Sequence, residues 1–255
     1  MMRVICFFLV LMLSMSSVFA QNSVDGLLRN GRSVTYYKTQ GLYQRDLEPE
    51  ENEYQQWAMA KAINIFKPVE ISGYNRVDRI LPDMEDLLRS REDDKANLPI
   101  HFRGLLEFRP SAGTSAYEEW MADKEAGTAG DEWKVFILLD ANVRDWKIQA
   151  PTPFKAQSHE GLDKVWFSES AQVKLPYGRG NYTGPVTVIS FGSTSALTKA
   201  TDVWTVKGQF QSATMCSVNN MVVAICATPE RALEIIETMD KDKVKEVLSF
   251  KERWP

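Results

Sequence analysis

Between residues 101 and 109 the chain carries one imidazole, two guanidinium groups and one carboxylate at two-residue phase: His101, Arg103, Glu107 and Arg109. In an extended segment alternate residues share a face, so these four form one polar stripe. A stripe of this kind supports acid/base chemistry, with Glu107 and His101 exchanging protons in one cleft, or a binding face for a polar partner. Its plainest account is a solvated face with cross-strand ion pairs.

Other chemistries lack their signatures. The run Gly192-Ser193-Thr194-Ser195-Ala196 has no closing glycine and puts its serines where a nucleophile elbow does not, so it reads as a strand-end loop. Neither type of glycine-rich phosphate loop occurs. His101 and His159 are the only histidines, and neither has a second histidine or a cysteine at ligand spacing. The group His159, Glu160 and Asp163 reads as a hydrated loop. No metal and no cofactor is expected.

Of the three cysteines, Cys6 falls in an N-terminal leader, which leaves Cys216 and Cys226. Both lie in a hairpin candidate spanning 202–226, with Asn219-Asn220 as its tight turn. In that register Cys216 faces Val223 and Cys226 faces Ala213, on opposite sheet faces and ~10 Å apart along the strand. A disulfide tolerates Cα separations of only up to ~7 Å, so the tight turn and a Cys216–Cys226 bond exclude each other. Export favours the bond, worth about 2.8 kcal/mol on the loop-entropy account, and hence a wider or bulged loop. The spacing is not the Cys-x-x-Cys of a redox catalyst.

Export is read from the first twenty residues: Arg3, an apolar run over 4–13, and a Val18-Phe19-Ala20 end with small residues where a signal peptidase reads. The run is too short to span a bilayer, which takes ~20 residues, so cleavage before Gln21 is expected, with no membrane span afterwards. The full chain has 30 basic and 34 acidic residues, net −4. Loss of Arg3 leaves 29 against 34, net −5. An acidic body argues against nucleic acid as a partner. Two mature cysteines cannot staple a fold, so an apolar core must hold it.

The elements that would carry the stripe follow in order. Residues 21–47 form a polar arm or short strand pair with Tyr36, Tyr37 and Tyr43. Pro49 and three glutamates open a helix whose apolar stripe is Tyr54, Trp57, Ala58, Ile65 and Phe66, stopped at Pro68. Residues 75–91 read as a second helical region, kinked or restarted at Pro82, and the charged run 89–95 as a boundary. Residues 99–109 are the clearest strand: Ile100, Phe102, Leu106 and Phe108 point one way and the polar stripe the other, with Leu105 the exception and Gly104 a bulge or close approach.

An excursion over 110–131 holds a short helix with Tyr117, Trp120 and Met121, either a binding surface or an anchor to the sheet. Residues 133–140 form a strand covered on both faces, and 143–149 supply its partner. Strands are expected over 165–168, 185–191, 203–210 and 221–226. Asn181-Tyr182-Thr183 fits an N-glycosylation acceptor. Thr228 caps a helix begun by Pro229, with Leu233, Ile236 and Met239 inward; a last helical stretch turns Val244, Val247 and Leu248 inward.

The pattern implies an α+β fold: N-terminal helices, a mainly antiparallel small barrel or curled sheet with a helical insertion, and C-terminal helices. The 203–210 strand with its Val206-Lys207-Gly208 step resembles strands of small oligonucleotide/oligosaccharide-binding barrels, a resemblance that implies an OB-like sheet. The organisation reads as a leader (1–20), an arm and helical part (21–95) and a β-rich domain (96–255). The expected function is a secreted accessory protein, periplasmic in a Gram-negative cell, that binds a protein or glycan of the envelope without catalysis. The alternative is a secreted hydrolase using His101 and Glu107. Candidate binding residues are His101, Arg103, Glu107, Arg109, Trp120, Tyr36, Tyr37 and Tyr43.

Overall fold

The computed structural model describes residues 23–27, 33–37, 42–45, 49–82, 88–90, 101–127, 134–176, 180–209 and 217–248. The leader lies outside these residues. Their elements are β1 (Ser23–Leu27), β2 (Ser33–Tyr37), β3 (Leu42–Arg45), α1 (Pro49–Asn64), β4 (Tyr74–Pro82), β5 (Leu88–Ser90), β6 (Phe102–Pro110), α2 (Ser115–Ala126), β7 (Val135–Ala141), β8 (Asp145–Gln149), β9 (Lys155–His159), β10 (Leu162–Lys174), β11 (Asn181–Gly192), β12 (Thr198–Ala200), β13 (Val203–Lys207), β14 (Asn220–Cys226), α3 (Pro229–Thr238) and α4 (Lys241–Leu248). Every strand pairing is antiparallel.

The strands make two sheets: β1-β2-β3-β5, and a ten-stranded sheet in the order β12-β13-β8-β10-β11-β14-β7-β6-β4 with β9 on β10. The larger sheet is open and not closed into a barrel, so the expected small barrel is not found. With the four helices among the described residues this is an α+β architecture.

Alternation divides the core in two. On one face Phe102, Leu106 and Phe108 of β6 and the odd residues of β7 and β14 pack under α1, α3 and α4. On the other, Leu105, Phe136, Leu138, Val222, Ala224 and Cys226 meet Trp146, Ile148, Val173 and Val206 from the opposite end of the same sheet. That end folds back over the centre. Strands β7 and β14 are therefore covered on both faces, and each of their residues is buried, which is why they read as continuous apolar runs.

A register shift between Ser168 and Ala171 in β10 marks the fold-back. A bulge bends its strand and increases local twist. Here the Ser168 hydroxyl donates to Thr152 O at 2.7 Å, tying the bend to the segment after β8. Beyond the bend, Gln172 pairs with Gln149 of β8.

Four expectations are corrected by the pairing. The 202–226 hairpin does not exist, because β13 pairs with β8 and β12 while β14 lies between β11 and β7. Asn220 is the first residue of β14, and Asn219 is held by long-range bonds: its N–H donates to Asn142 Oδ1 at 2.8 Å and its carbonyl accepts from Ser193 N at 3.0 Å. The conflict between a tight turn and a disulfide disappears with that hairpin; Cys226 is buried opposite Val186 and Phe136, and Cys216 lies outside the described residues.

Residues 74–82 are a strand and not a helix. Nine consecutive residues pair with β6 from Tyr74↔Pro110 to Pro82↔Phe102, and this ladder overrides a weak helical spacing. Strand β8 follows β7 but pairs away from it, because the turn after β7 is spent elsewhere. Asn142, in the left-handed region at φ 56°, donates from its own N–H to Asn220 O and from Nδ2 to Ser217 O, both at 2.8 Å.

Helix α3 begins as expected, with the Thr228 hydroxyl accepting from Arg231 N. Its buried stripe is Ala232, Ile235, Ile236 and Met239, and Leu233 is 43% exposed. Helix α1 buries Tyr54, Ala58 and Ala62 in the same cluster as β6, α3 and α4. Its Lys61 ammonium donates to Glu246 of α4 at 2.6 Å. Lys243 and Lys61 hydrogen-bond Glu246 and hold its carboxyl down at about 2.

Candidate functional site

The polar stripe of β6 is solvated only at its end, where Arg109 is exposed. Glu107 is 3% exposed and His101 and Arg103 are half-buried, because the fold-back covers this face. A buried charge must be paired. The stripe resolves into two separate pairings along one strand.

The first centres on Asp140, a residue of the all-buried β7 that stands directly opposite Arg103. Arg103 Nε donates to its Oδ1 at 2.5 Å, His101 Nε2 lies 3.2 Å from the same oxygen, and Trp146 Nε1 donates to Oδ2 at 2.9 Å. Burial alone would raise this carboxyl; the His101 hydrogen bond and the Arg103 charge outweigh it and hold the group below its ordinary value. Both carboxylate oxygens face donors, two of them on potentially or permanently cationic side chains. Such a carboxylate fixes β6, β7 and β8 relative to one another; a cation at the same place would meet the Arg103 guanidinium.

The second pairing is Arg109 Nε donating to Glu107 Oε1 at 2.7 Å. The hydrogen bond to Glu107 raises the Arg109 guanidinium further above its usual value. His101, immediately before β6, and Glu107 are six residues apart, a separation of ~20 Å at strand rise. They do not share a cleft or converge on one reacting atom.

Asp140 and Trp146 were not singled out by the sequence reading. The signal was present: an acid inside a run of buried apolar residues requires buried donors, and His101 and Arg103 had the right parity to supply them.

Trp120 lies on α2, the helix of the excursion. Its first turn is capped by Thr114, whose hydroxyl accepts from Tyr117 N and donates to Ser111 O at 2.7 Å. Its end is Gly127 at φ 72°, with an N–H returned to Asp123 and Lys124 carbonyls, the left-handed cap that glycine adopts without a Cβ clash. Between two well-made caps no residue of the helix is fully buried, and Ala116, Tyr117, Trp120 and Met121 are half-buried. Tyr117 and Trp120 pair with ring centroids 5.6 Å apart at 59°, and the Lys124 ammonium stands 5.2 Å from the Trp120 ring. The tryptophan is half-buried beside its own helix neighbours.

The tyrosines of the arm fall on β2 and β3, where Tyr36 stands opposite Tyr43 and Tyr37 opposite Leu42. His159 ends β9, Glu160 lies in the turn and Asp163 in β10. Among the described residues no group of three His, Cys, Asp or Glu side chains is placed to hold a metal ion. A cavity of about 250 Å³ lies between β9–β11 and α3, with Phe167, Leu233 and Ile236 as apolar lining and Gln157, His159 and Glu230 as polar lining. The imidazole there is engaged with Gln157 Oε1 at 3.2 Å. Among the described residues no helix is long and apolar enough to cross a membrane.

Compared with family models, curated proteins and solved structures, the chain matches none. The arrangement must be read from its own chemistry.

Proposed function

We propose that the protein is an exported binding module of the cell envelope, without catalytic activity, that offers helix α2 to a protein or glycan partner. The observation that carries this reading is the contrast between α2 and the other helices. Helices α3 and α4 fully bury apolar residues, whereas α2, capped at both ends, has no fully buried residue and leaves Tyr117 and Trp120 half-exposed. A short helix of this length is marginal by itself in water, so a sequence that caps both ends and keeps Tyr117 and Trp120 beside each other serves something other than the core. Amphipathic aromatic rings are the side chains that most often anchor interfaces.

The polar groups that would otherwise suggest turnover are engaged in pairs: His101 and Arg103 on Asp140, Arg109 on Glu107. The net charge of −4 argues against a nucleic-acid partner, and an OB-like barrel forms no part of the reading. Export rests on the leader, and Tyr36, Tyr37 and Tyr43 remain a second set of candidate contacts.

The test is chemical cross-linking in the envelope with the full chain, comparing the wild type with a Tyr117→Ala/Trp120→Ala double variant. A discrete adduct lost in the variant, at unchanged melting temperature, supports the reading. An adduct that persists at the same yield removes α2 from it.

A further inference from the structure

Strand β4 is one end of the ten-stranded sheet, and among the described residues no strand pairs with its outer side. Which of its backbone groups face outward follows from one hydrogen bond. Ser111 N donates to Gly73 O at 2.8 Å, and the β4/β6 ladder continues without a shift from that pair, Tyr74↔Pro110 through Pro82↔Phe102. In an antiparallel pair, residues alternate between exchanging both hydrogen bonds with the partner and turning both groups away. Residues 73, 75, 77, 79 and 81 therefore bond to β6, and 76, 78 and 80 turn their N–H and C=O outward. The prolines agree: Pro110 and Pro82 both fall at pairs where no β4–β6 hydrogen bond is required.

We propose that this edge joins the same edge of a second copy about a two-fold axis at Val77. In that register Arg76 stands opposite Asp78 of the second copy, Asp78 opposite its Arg76, and Val77 opposite its Val77. The pairs 76/78 and 78/76 are the hydrogen-bonded ones, which matches the outward backbone groups. Shifting the axis by one residue either way sets Arg76 against Arg76 or Asp78 against Asp78, and like charges directly opposite destabilise a sheet. The Val77 register is the one whose charges attract. Val77 is also 38% exposed, one of two large apolar side chains in the open among the described residues, and self-pairing covers it.

The charge pair is already ordered for this role: Arg76 Nε and Nη2 reach Asp78 Oδ1 and Oδ2 at 2.6 and 2.8 Å, and Arg76 also donates to Phe66 O. Edge charges normally block pairing, but here the alternation of sign is self-complementary. An isologous contact of this kind is the commonest route to a closed dimer. It would place two copies of α2 on one assembly and so raise avidity for a repeated partner.

Two experiments on the full chain test this. Val77→Cys should give an intermolecular disulfide on non-reducing gels, because residue 77 meets itself, while Asn75→Cys, which faces Arg79 of the second copy, should stay at background. Arg76→Asp and Asp78→Arg variants should each lose the doubled mass seen for the wild type by light scattering, and mixing the two should restore it, since every cross-axis pair is then of opposite sign. Monomeric wild type, equal cross-linking at 75 and 77, or no recovery on mixing would overturn the proposal.

Discussion

Trp146 donates its indole N–H to Asp140 across 2.9 Å although β7 and β8, which carry them, are consecutive strands that do not pair with each other. The bond closes the corner at which the sheet turns from its helix-covered centre to its fold-back. Trp146→Phe keeps most of the ring burial and deletes the donor. Leaving a buried acceptor short of a partner costs about 1–3 kcal/mol, so the urea midpoint should fall by that equivalent with an unchanged slope. An unchanged midpoint would show that the bond contributes nothing.

The carboxyl of Asp140, faced by His101, Arg103 and Trp146, sits below its ordinary value in the folded chain. A depressed folded value means stability that is complete above the unfolded carboxyl value of ~3.9 and lost as pH falls through the folded one. The stability gap between wild type and Asp140→Asn should be constant above pH ~4.5 and close below ~3.9. A gap that widens on acidification contradicts the pairing.

Glu246 follows the same sign in a half-buried setting near the surface: with its carboxyl held at about 2 by Lys243 and Lys61, its contribution is present above the usual carboxylate range and fades as pH falls towards 2. Glu246→Gln should lose only ~0.2–1 kcal/mol at neutral pH, measured by thermal melting at low salt. Added salt should shrink the loss; a loss insensitive to salt would point to packing instead.

Much of the central sheet was legible from the sequence, because β7 and β14 are apolar throughout and β6 alternates; period two and burial on both faces are local properties of a strand. What was not legible is which strand lies beside which. Asn219-Asn220 has the composition of a turn, but Asn142, some eighty residues earlier in sequence, takes the Asn219 N–H and puts Asn220 into β14. Val77 and its neighbours were read as helical because nothing local reveals that β6 needs a partner on that side. Leu233 was assigned inward on spacing alone, while Ala232 and Ile235 hold the buried face. At the candidate site, the stripe was visible and its counter-ion was not, since Asp140 comes from a different strand.

Gly208 marks a close approach that permits the fold-back. A Cβ there would stand 1.8 Å from Val143 O and 2.6 Å from Asn220 Nδ2, and Gly208 N already donates to Arg144 O at 2.9 Å. Backbone cannot yield as a side-chain end can, so Gly208→Ala should destabilise the whole fold by at least the ~1–3 kcal/mol typical of overpacking. Chemical denaturation reads it directly, and a neutral variant would mean that β13 is free to move.

Helix α2 should respond differently. Thr114→Ala removes an N-cap worth ~1 kcal/mol, but since no residue of α2 is fully buried the global melting temperature should hold. Amide exchange confined to residues 115–126 should quicken about fivefold, the equivalent of ~1 kcal/mol. A fall in the global transition would show that α2 supports the core.

The reading of α2 as the presented surface is tested most directly by placing a photoactivatable residue at Trp120 and, as a control, at Lys155 of the exposed strand β9, then irradiating intact cells. The account predicts a discrete adduct from position 120 and none from position 155. Equal adducts from both positions, or none from 120, would contradict it.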